Sequence, residues 1–165
     1  MFLDGDPLHG RLVYSEKEYS FRFDDIDEVE LAARTTGQGR SSFEIDTLQI
    51  EVDTGSGEAL FVWGFHSYLV WLDGQCEPDR LKPGVVRFGA PFEFQRGAAI
   101  GIADVGEWAT VYDHVSGWVR VRSPEAPADE RQVLIASGTA LGFCGQRLNS
   151  VWLHPEFVEP RSSTM

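Results

Sequence analysis

The chain has 165 residues, of which 42% are hydrophobic, and this is enough for one domain with a buried core. Its 26 acidic and 14 basic residues give a formal net charge of -12, which argues against nucleic acid or an anionic membrane surface as a direct partner. The acidity is concentrated in residues 1–60, which carry 14 carboxylates and 5 basic side chains.

The cysteines and the chain start indicate a cytoplasmic protein. Cys76 and Cys144 are too few for a disulfide framework and form no CxxC pair, so we expect reduced thiols and no structural zinc. No apolar run approaches the roughly 20 residues of a membrane span, and the first residues lack a secretory signal pattern. The excess of Arg over Lys hints at a GC-rich bacterial genome.

The first predicted element is a β-hairpin. In "GRLVYSEKEYSFRFDD" the apolar residues fall on alternate positions either side of the polar "SEKE", as in two strands joined by a tight turn. The alternating residues are Leu12, Tyr14, Tyr19, Phe21 and Phe23.

Residues 25–35 fit two patterns. Ile26, Val29 and Ala33 lie on one face of a helix, whereas Val29, Leu31 and Ala33 lie on one face of a strand. Both alternatives stay open, and we predict a strand.

The rest of the chain consists of short β-branched and aromatic runs separated by turn residues. We predict an all-β, mainly antiparallel fold: a β-sandwich or closed β-barrel of about ten strands with at most one or two short helices. Residues 1–158 form a single domain in this interpretation, and residues 159–165 form a frayed tail. The strand runs are "TLQIEV", "ALFVW", "YLVWL", "GVVRF", "FEFQ", "AAIGIA", "EWATVYD", "GWVRVRS", "RQVLIAS", "TALGF" and "SVWLHP".

The inward faces of these strands define the predicted core, because alternate side chains of a strand point to opposite faces of the sheet. The predicted core residues are Leu48, Ile50, Phe61, Trp63, Leu69, Trp71, Val119, Val121, Val133, Ile135 and Trp152.

The most apolar stretch is "ALFVWGFHSYLVWLDG", residues 59–74, with His66 at its middle. We expect "GFHS" to turn one strand into the next, with His66 at an exposed loop tip and Trp63 paired across the strands with Tyr68. The alternatives are a histidine hydrogen-bonded in a pocket and a catalytic histidine.

Candidate catalytic residues are His66, Tyr68, Tyr112 and Cys144, although none has a local signature. Small residues flank Cys144 and leave its thiol approachable, but an apolar strand cysteine is usually a core residue. The histidines show no metal-binding spacing, and we predict no metal and no cofactor.

The aromatic residues define a second functional hypothesis. An eight-stranded barrel can enclose one small ligand, so these rings could line a cavity for a hydrophobic metabolite and support a cyclase or isomerase. They could equally fill the core, and we favour that packing role. The candidate pocket residues are Trp63, Trp71, Trp108, Trp118 and Trp152, with Tyr68 and Tyr112.

The acidic segment, residues 24–30, carries the first functional hypothesis: a non-enzymatic module that binds a basic protein partner, as small immunity proteins and inhibitors do. Like charges at this density repel one another, and they steer a basic partner by long-range attraction. We expect association to slow as salt rises. The candidate partner-binding residues are Asp24, Asp25, Asp27, Glu28 and Glu30.

Overall fold

The computed structural model describes residues 1–89, 92–127 and 129–158. Strands account for 48% of it and helices for 6%, so the predicted all-β class with few short helices is confirmed. The predicted frayed tail, residues 159–165, lies outside the described residues.

The described residues contain sixteen strands. Eleven have four or more residues, close to the expected ten, and the other five are edge pieces of two or three residues that are too short for a sequence pattern to reveal. In chain order they are β1 (Phe2–Leu3), β2 (Arg11–Ser15), β3 (Ser20–Asp24), β4 (Arg40–Ile45), β5 (Leu48–Asp53), β6 (Ala59–Phe65), β7 (Leu72–Asp73), β8 (Lys82–Pro83), β9 (Val85–Val86), β10 (Ala99–Ala103), β11 (Ala109–Tyr112), β12 (Val119–Arg122), β13 (Arg131–Ala136), β14 (Thr139–Cys144), β15 (Arg147–Leu153) and β16 (Glu156–Val158).

Two sheets have seven strands each, in the orders β10-β4-β5-β6-β3-β2-β16 and β7-β11-β12-β15-β14-β13-β8. A third sheet consists of β1 and β9. Most pairs are antiparallel, whereas the four short or terminal pairs β10 with β4, β7 with β11, β8 with β13 and β16 with β2 are parallel. Within the described residues, none of these sheets closes into a barrel.

One hydrophobic core takes side chains from both large sheets. Ile50 and Val62 come from the first, and Leu141 and Val151 from the second, and all four are fully buried. Burial of this apolar surface is the main favourable term in the free energy of folding.

The predicted hairpin of β2 and β3 is confirmed. Leu12 pairs with Phe23 and Tyr14 with Phe21, so the inward residues of both strands meet in register. Tyr19 is the exception, because it lies in the turn with a positive φ of 53° and its side chain is exposed.

The prediction of a strand over residues 25–35 is wrong. Glu28–Arg34 form α1, the one α-helix among the described residues, because Asp27 caps it by accepting from the N–H groups of Val29 and Glu30. Ile26 and Leu31 pack against the core from the positions of a hydrophobic staple.

Two of the predicted strands are absent from the described residues. "YLVWL" forms a 3₁₀ helix, Tyr68–Val70, whose first turn Ser67 caps by accepting from the N–H of Leu69, and only its last Leu enters the short β7. "FEFQ" forms no strand, and "GVVRF" is reduced to β9.

Eight of the eleven predicted core residues are buried. Trp63 and Leu69 were wrongly placed in the core, since 42% and 68% of their surfaces are exposed, and Trp71 is half-buried. All three belong to the 59–74 stretch, whose second half leaves the sheet.

Candidate functional site

The carboxylates at the end of β3 are engaged in ion pairs with neighbouring arginines. Arg22 contacts Asp24 at 3.2 Å, and Arg11 contacts Asp25 at 2.9 Å. Arg22 also contacts Glu18, and Arg11 also contacts Glu156. Each guanidinium therefore lies between two carboxylates and neutralises one charge of two, which leaves this surface net negative.

The carboxylates of α1 have local partners as well. Asp27 is the N-cap, and Glu30 accepts a hydrogen bond from the backbone N–H of His9 at 2.8 Å and lies 2.6 Å from its Nδ1. These bonds hold the pKa of Glu30 below its usual value. Glu28 takes part in none of the ion pairs found among the described residues.

The five tryptophans do not share a cavity. Trp71 packs against Tyr14 and Tyr112, with ring centroids 4.8 and 5.6 Å apart. Trp118 packs against Trp152 of β15 in a T-shaped pair, with ring centroids 6.4 Å apart.

The remaining two tryptophans lie at the surface or beside it. Trp63 points outward from β6 and donates its indole N–H to Glu51 at 3.2 Å. Trp108 is buried and forms part of the wall of two pockets.

His66 follows β6 in a loop, as predicted, but the expected exposed loop tip is wrong because only 2% of its surface is accessible. Its Nε2 lies 2.6 Å from Thr110 Oγ1. Its backbone N–H donates to Tyr19, and its carbonyl accepts from Tyr14 Oη at 2.6 Å. Burial lowers the pKa of His66, against the weaker opposing effect of Asp46, so the ring is neutral at pH 7.

The predicted pairing of Trp63 with Tyr68 is also wrong. Trp63 faces Gln49 on β5, because the chain leaves the sheet after Phe65 instead of returning as a strand. Tyr68 stacks on Tyr19, with ring centroids 5.7 Å apart.

The other catalytic candidates are not brought together with His66. Tyr112 packs its ring against Trp71 and His114, and burial raises the pKa of its phenol. Cys144 is exposed at the end of β14, beside a pocket that contains no histidine among the described residues lining it. Among the described residues, the hydrogen bond of the His66 ring goes to Thr110, and none joins it to Tyr68, Tyr112 or Cys144.

The 59–74 stretch exposes an apolar patch. We define the apolar patch as Phe65, Leu69, Val70 and Leu72, which leave 66%, 68%, 64% and 59% of their surfaces accessible to solvent. Clustered exposed apolar residues of this kind mark interaction sites, whereas single ones are normal on any surface.

A pocket of about 540 Å³ opens within this patch. Its walls are apolar, and His66 and Thr110 lie among its lining residues. Asp46 is the one carboxylate among the described residues that line it, and no Lys or Arg joins them. The lining residues include Phe65, Val70, Leu72, Val105 and Trp108, with Tyr19 and Asp46 on the walls.

Acidic residues are chain neighbours of several residues that line the pocket. Asp104 and Glu107 flank Val105 and Gly106 in the exposed loop between β10 and β11, and Asp73 follows Leu72. Asp46 accepts a hydrogen bond from the N–H of Gly106 at 3.1 Å, which ties this loop to the pocket wall.

The acidic segment and the pocket lie at opposite ends of β3. Ser20 pairs with Phe65 beside the pocket, whereas Asp24 ends the strand four residues later. At a rise of about 3.3 Å per residue, the two regions are about 13 Å apart along the strand.

Apolar runs alone did not predict the apolar patch, because an apolar run also fits a buried strand. The one local signal is Ser67 before Tyr68, since Ser favours N-caps and turns over strand interiors.

No protein family matches this chain, and no curated protein matches it in sequence. Among the described residues, no cluster of His, Cys, Asp and Glu could hold a metal ion. The helices of the described residues are all too short or too polar to cross a membrane.

Proposed function

We propose that this protein is a non-enzymatic, acidic β-domain that binds a basic protein partner, in the manner of small immunity or inhibitor modules. The apolar patch docks the partner, and the acidic segment attracts it. The observation that carries the proposal is the exposure of Phe65, Leu69, Val70 and Leu72 beside a pocket whose charged wall is a carboxylate.

The apolar patch supports docking because burial of its side chains against a partner releases apolar surface from water. A few central apolar residues carry most of the binding free energy in protein interfaces. Carboxylates around such a centre favour basic partners and disfavour acidic ones, since like charges facing each other across an interface are costly.

The acidic segment supports attraction at a distance. Arg11 and Arg22, which lie beside it, each neutralise one of two adjoining carboxylates, so the surface keeps a net negative field. Such fields act mainly on the rate of encounter and are screened by salt.

The proposal includes a β-sandwich in which the two seven-stranded sheets face each other, supported by the core that they share. It also includes a bacterial, cytoplasmic setting, on the grounds of composition given above.

The test begins with capture of partners on the immobilised protein, followed by their identification and recombinant production. With purified proteins, the double variant Phe65→Ser/Leu72→Ser should raise the Kd more than about 30-fold, as loss of an interface centre does. Val29→Ser is the matched control, because it removes an apolar side chain that is 81% exposed on α1, away from the apolar patch.

The salt dependence tests the acidic segment separately. Association should slow steeply between about 50 and 500 mM salt, while dissociation changes much less. An identified partner that is acidic, or that binds the double variant as tightly as the wild type, would overturn the proposal. A small apolar molecule that occupies the pocket without any partner would support the metabolite-binding alternative instead.

A further inference from the structure

The pocket in the apolar patch is bordered by two residues with unusual backbone conformations. Tyr19 and Asp46 have φ angles of 53° and 61°, and they are two of the three non-glycine residues with positive φ among the described residues. Residues held in such conformations cluster at functional sites, because the surrounding structure has to enforce them.

Tyr19 is the more informative of the two. It ends the four-residue turn between β2 and β3, at a position where a glycine would adopt positive φ without strain. Asp and Asn tolerate this region, whereas a bulky residue there is uncommon. The Tyr19 carbonyl accepts from the N–H of His66, so this hydrogen bond ties the turn to the loop that carries His66. Tyr19 itself is one of the residues that line the pocket.

Asp46 provides a negative charge in the pocket lining. Its Oδ2 accepts from the N–H of Gly106, and its carboxylate is only half-buried. Because His66 is neutral, the carboxylate of Asp46 sets the charge of the pocket. An apolar cavity with one carboxylate at its border matches an apolar side chain followed by a cation.

We propose that the pocket receives an aliphatic or aromatic side chain of the partner, and that Asp46 pairs with a Lys or Arg beside that side chain. Phe65, Leu72 and Trp108 contact the apolar side chain, and Tyr19 closes the wall. This inference rests on the proposed function and names the sequence feature that the partner presents.

Charge complementarity distinguishes this occupant from a second copy of the chain. The protein carries a net charge of -12, so two copies repel each other at this surface. A segment that contains Lys or Arg beside an apolar residue is attracted to it.

The test selects binders from a phage-displayed library of random peptides on the full-length protein. We expect enrichment of peptides with an apolar residue adjacent to Lys or Arg. A selected peptide and its Arg→Gln or Lys→Gln analogue are then titrated against the wild type and three variants, with the Kd measured by fluorescence anisotropy.

Asp46→Asn is the decisive variant, because Asn keeps an acceptor for Gly106 and tolerates positive φ but removes the charge. The wild type should bind the basic peptide about threefold more tightly than its Gln analogue, the size expected for a partly exposed ion pair. Asp46→Asn should abolish this preference and leave the affinity for the analogue unchanged. Glu77→Gln, which removes one charge at an exposed position outside the pocket lining and outside the acidic segment, should keep the preference.

The outcomes separate this inference from the proposed function. Peptides without an enrichment of basic residues, or an unchanged preference in Asp46→Asn, overturn the inference while binding through the apolar patch stands. A library that yields no binders also overturns it. Peptides that bind Leu72→Ser as tightly as the wild type overturn both.

Discussion

In both the acidic segment and the apolar patch, the side chains are arranged differently from what their residue types suggest. The acidic segment has a surplus of charge in the sequence, yet four of its five carboxylates are engaged by Arg11, Arg22, His9 or the start of α1. The apolar patch belongs to the stretch that most resembles a core, yet its side chains face solvent. The proposed docking surface therefore lies where apolar side chains remain exposed, and not where residues of one kind are most concentrated in the sequence.

The largest expected effect lies at Trp71, a half-buried residue of the apolar stretch. Trp71→Ala should lower the free energy of unfolding by about 3 kcal/mol, because its ring packs against Tyr14, Phe21 and Tyr112. Urea denaturation measures this loss. A value below about 1 kcal/mol would place Trp71 with the apolar patch instead of the core.

A smaller loss of stability is expected for Tyr14, whose phenol is hydrogen-bonded to the loop that carries the apolar patch. Tyr14 Oη donates to the carbonyl of His66 and accepts from the N–H of Tyr68. Tyr14→Phe leaves both backbone groups without this partner and should lower the free energy of unfolding by about 2 kcal/mol. An unchanged stability would show that water replaces the phenol there.

Tyr14 also makes the free energy of unfolding depend on pH. Burial raises the pKa of Tyr14 from about 10 to about 12, so the folded protein retains a proton that the unfolded chain loses. The stability from this group is complete below pH 10 and is lost as the pH rises towards 12. Urea denaturation across this range should show a shallower loss for Tyr14→Phe than for the wild type.

In the acidic segment we expect a moderate loss of stability when the N-cap of α1 is removed. Asp27→Ala should lower the free energy of unfolding by about 1 kcal/mol, because it removes the cap of α1. Glu28→Ala is the control and should change little. A charge reversal of Asp24, Asp25 and Asp27 together would break two ion pairs and the cap, so Glu28→Lys is the cleaner probe of steering.

The smallest effect is expected within the apolar patch itself. Leu69→Ser should change the free energy of unfolding by less than about 0.5 kcal/mol, because this side chain is largely exposed. Thermal denaturation suffices as the measurement. A loss of more than about 1 kcal/mol would mean that Leu69 packs against the fold.

The sequence predicts the strands that pair locally. The β2–β3 hairpin and the β13–β15 meander follow from alternation and turn residues, because neighbouring strands in the chain pair with each other. The five short strands depend on partners far along the chain, such as Val86 for Phe2, and no local pattern reveals them.

The candidate site was less predictable for the same reason. The pocket combines Tyr19, Asp46, Phe65 and Thr110 from four separate segments, and only their pairing in three dimensions places them together. The helix α1 was predictable in principle, since "IDEVEL" has an acidic N-cap, a Glu three residues later and the two staple positions.

The pairing of β16 with β2 has a consequence for how this chain is made. Glu156 aligns with Val13, and Leu8 bridges to Ala136. These early residues therefore cannot form their backbone hydrogen bonds until much later residues have been synthesised. A nascent chain that has not reached Glu156 carries β2 as an open edge that can pair with other chains. Such long-range pairing slows folding, and it leaves the early hairpin exposed to aggregation until Glu156–Val158 have been synthesised.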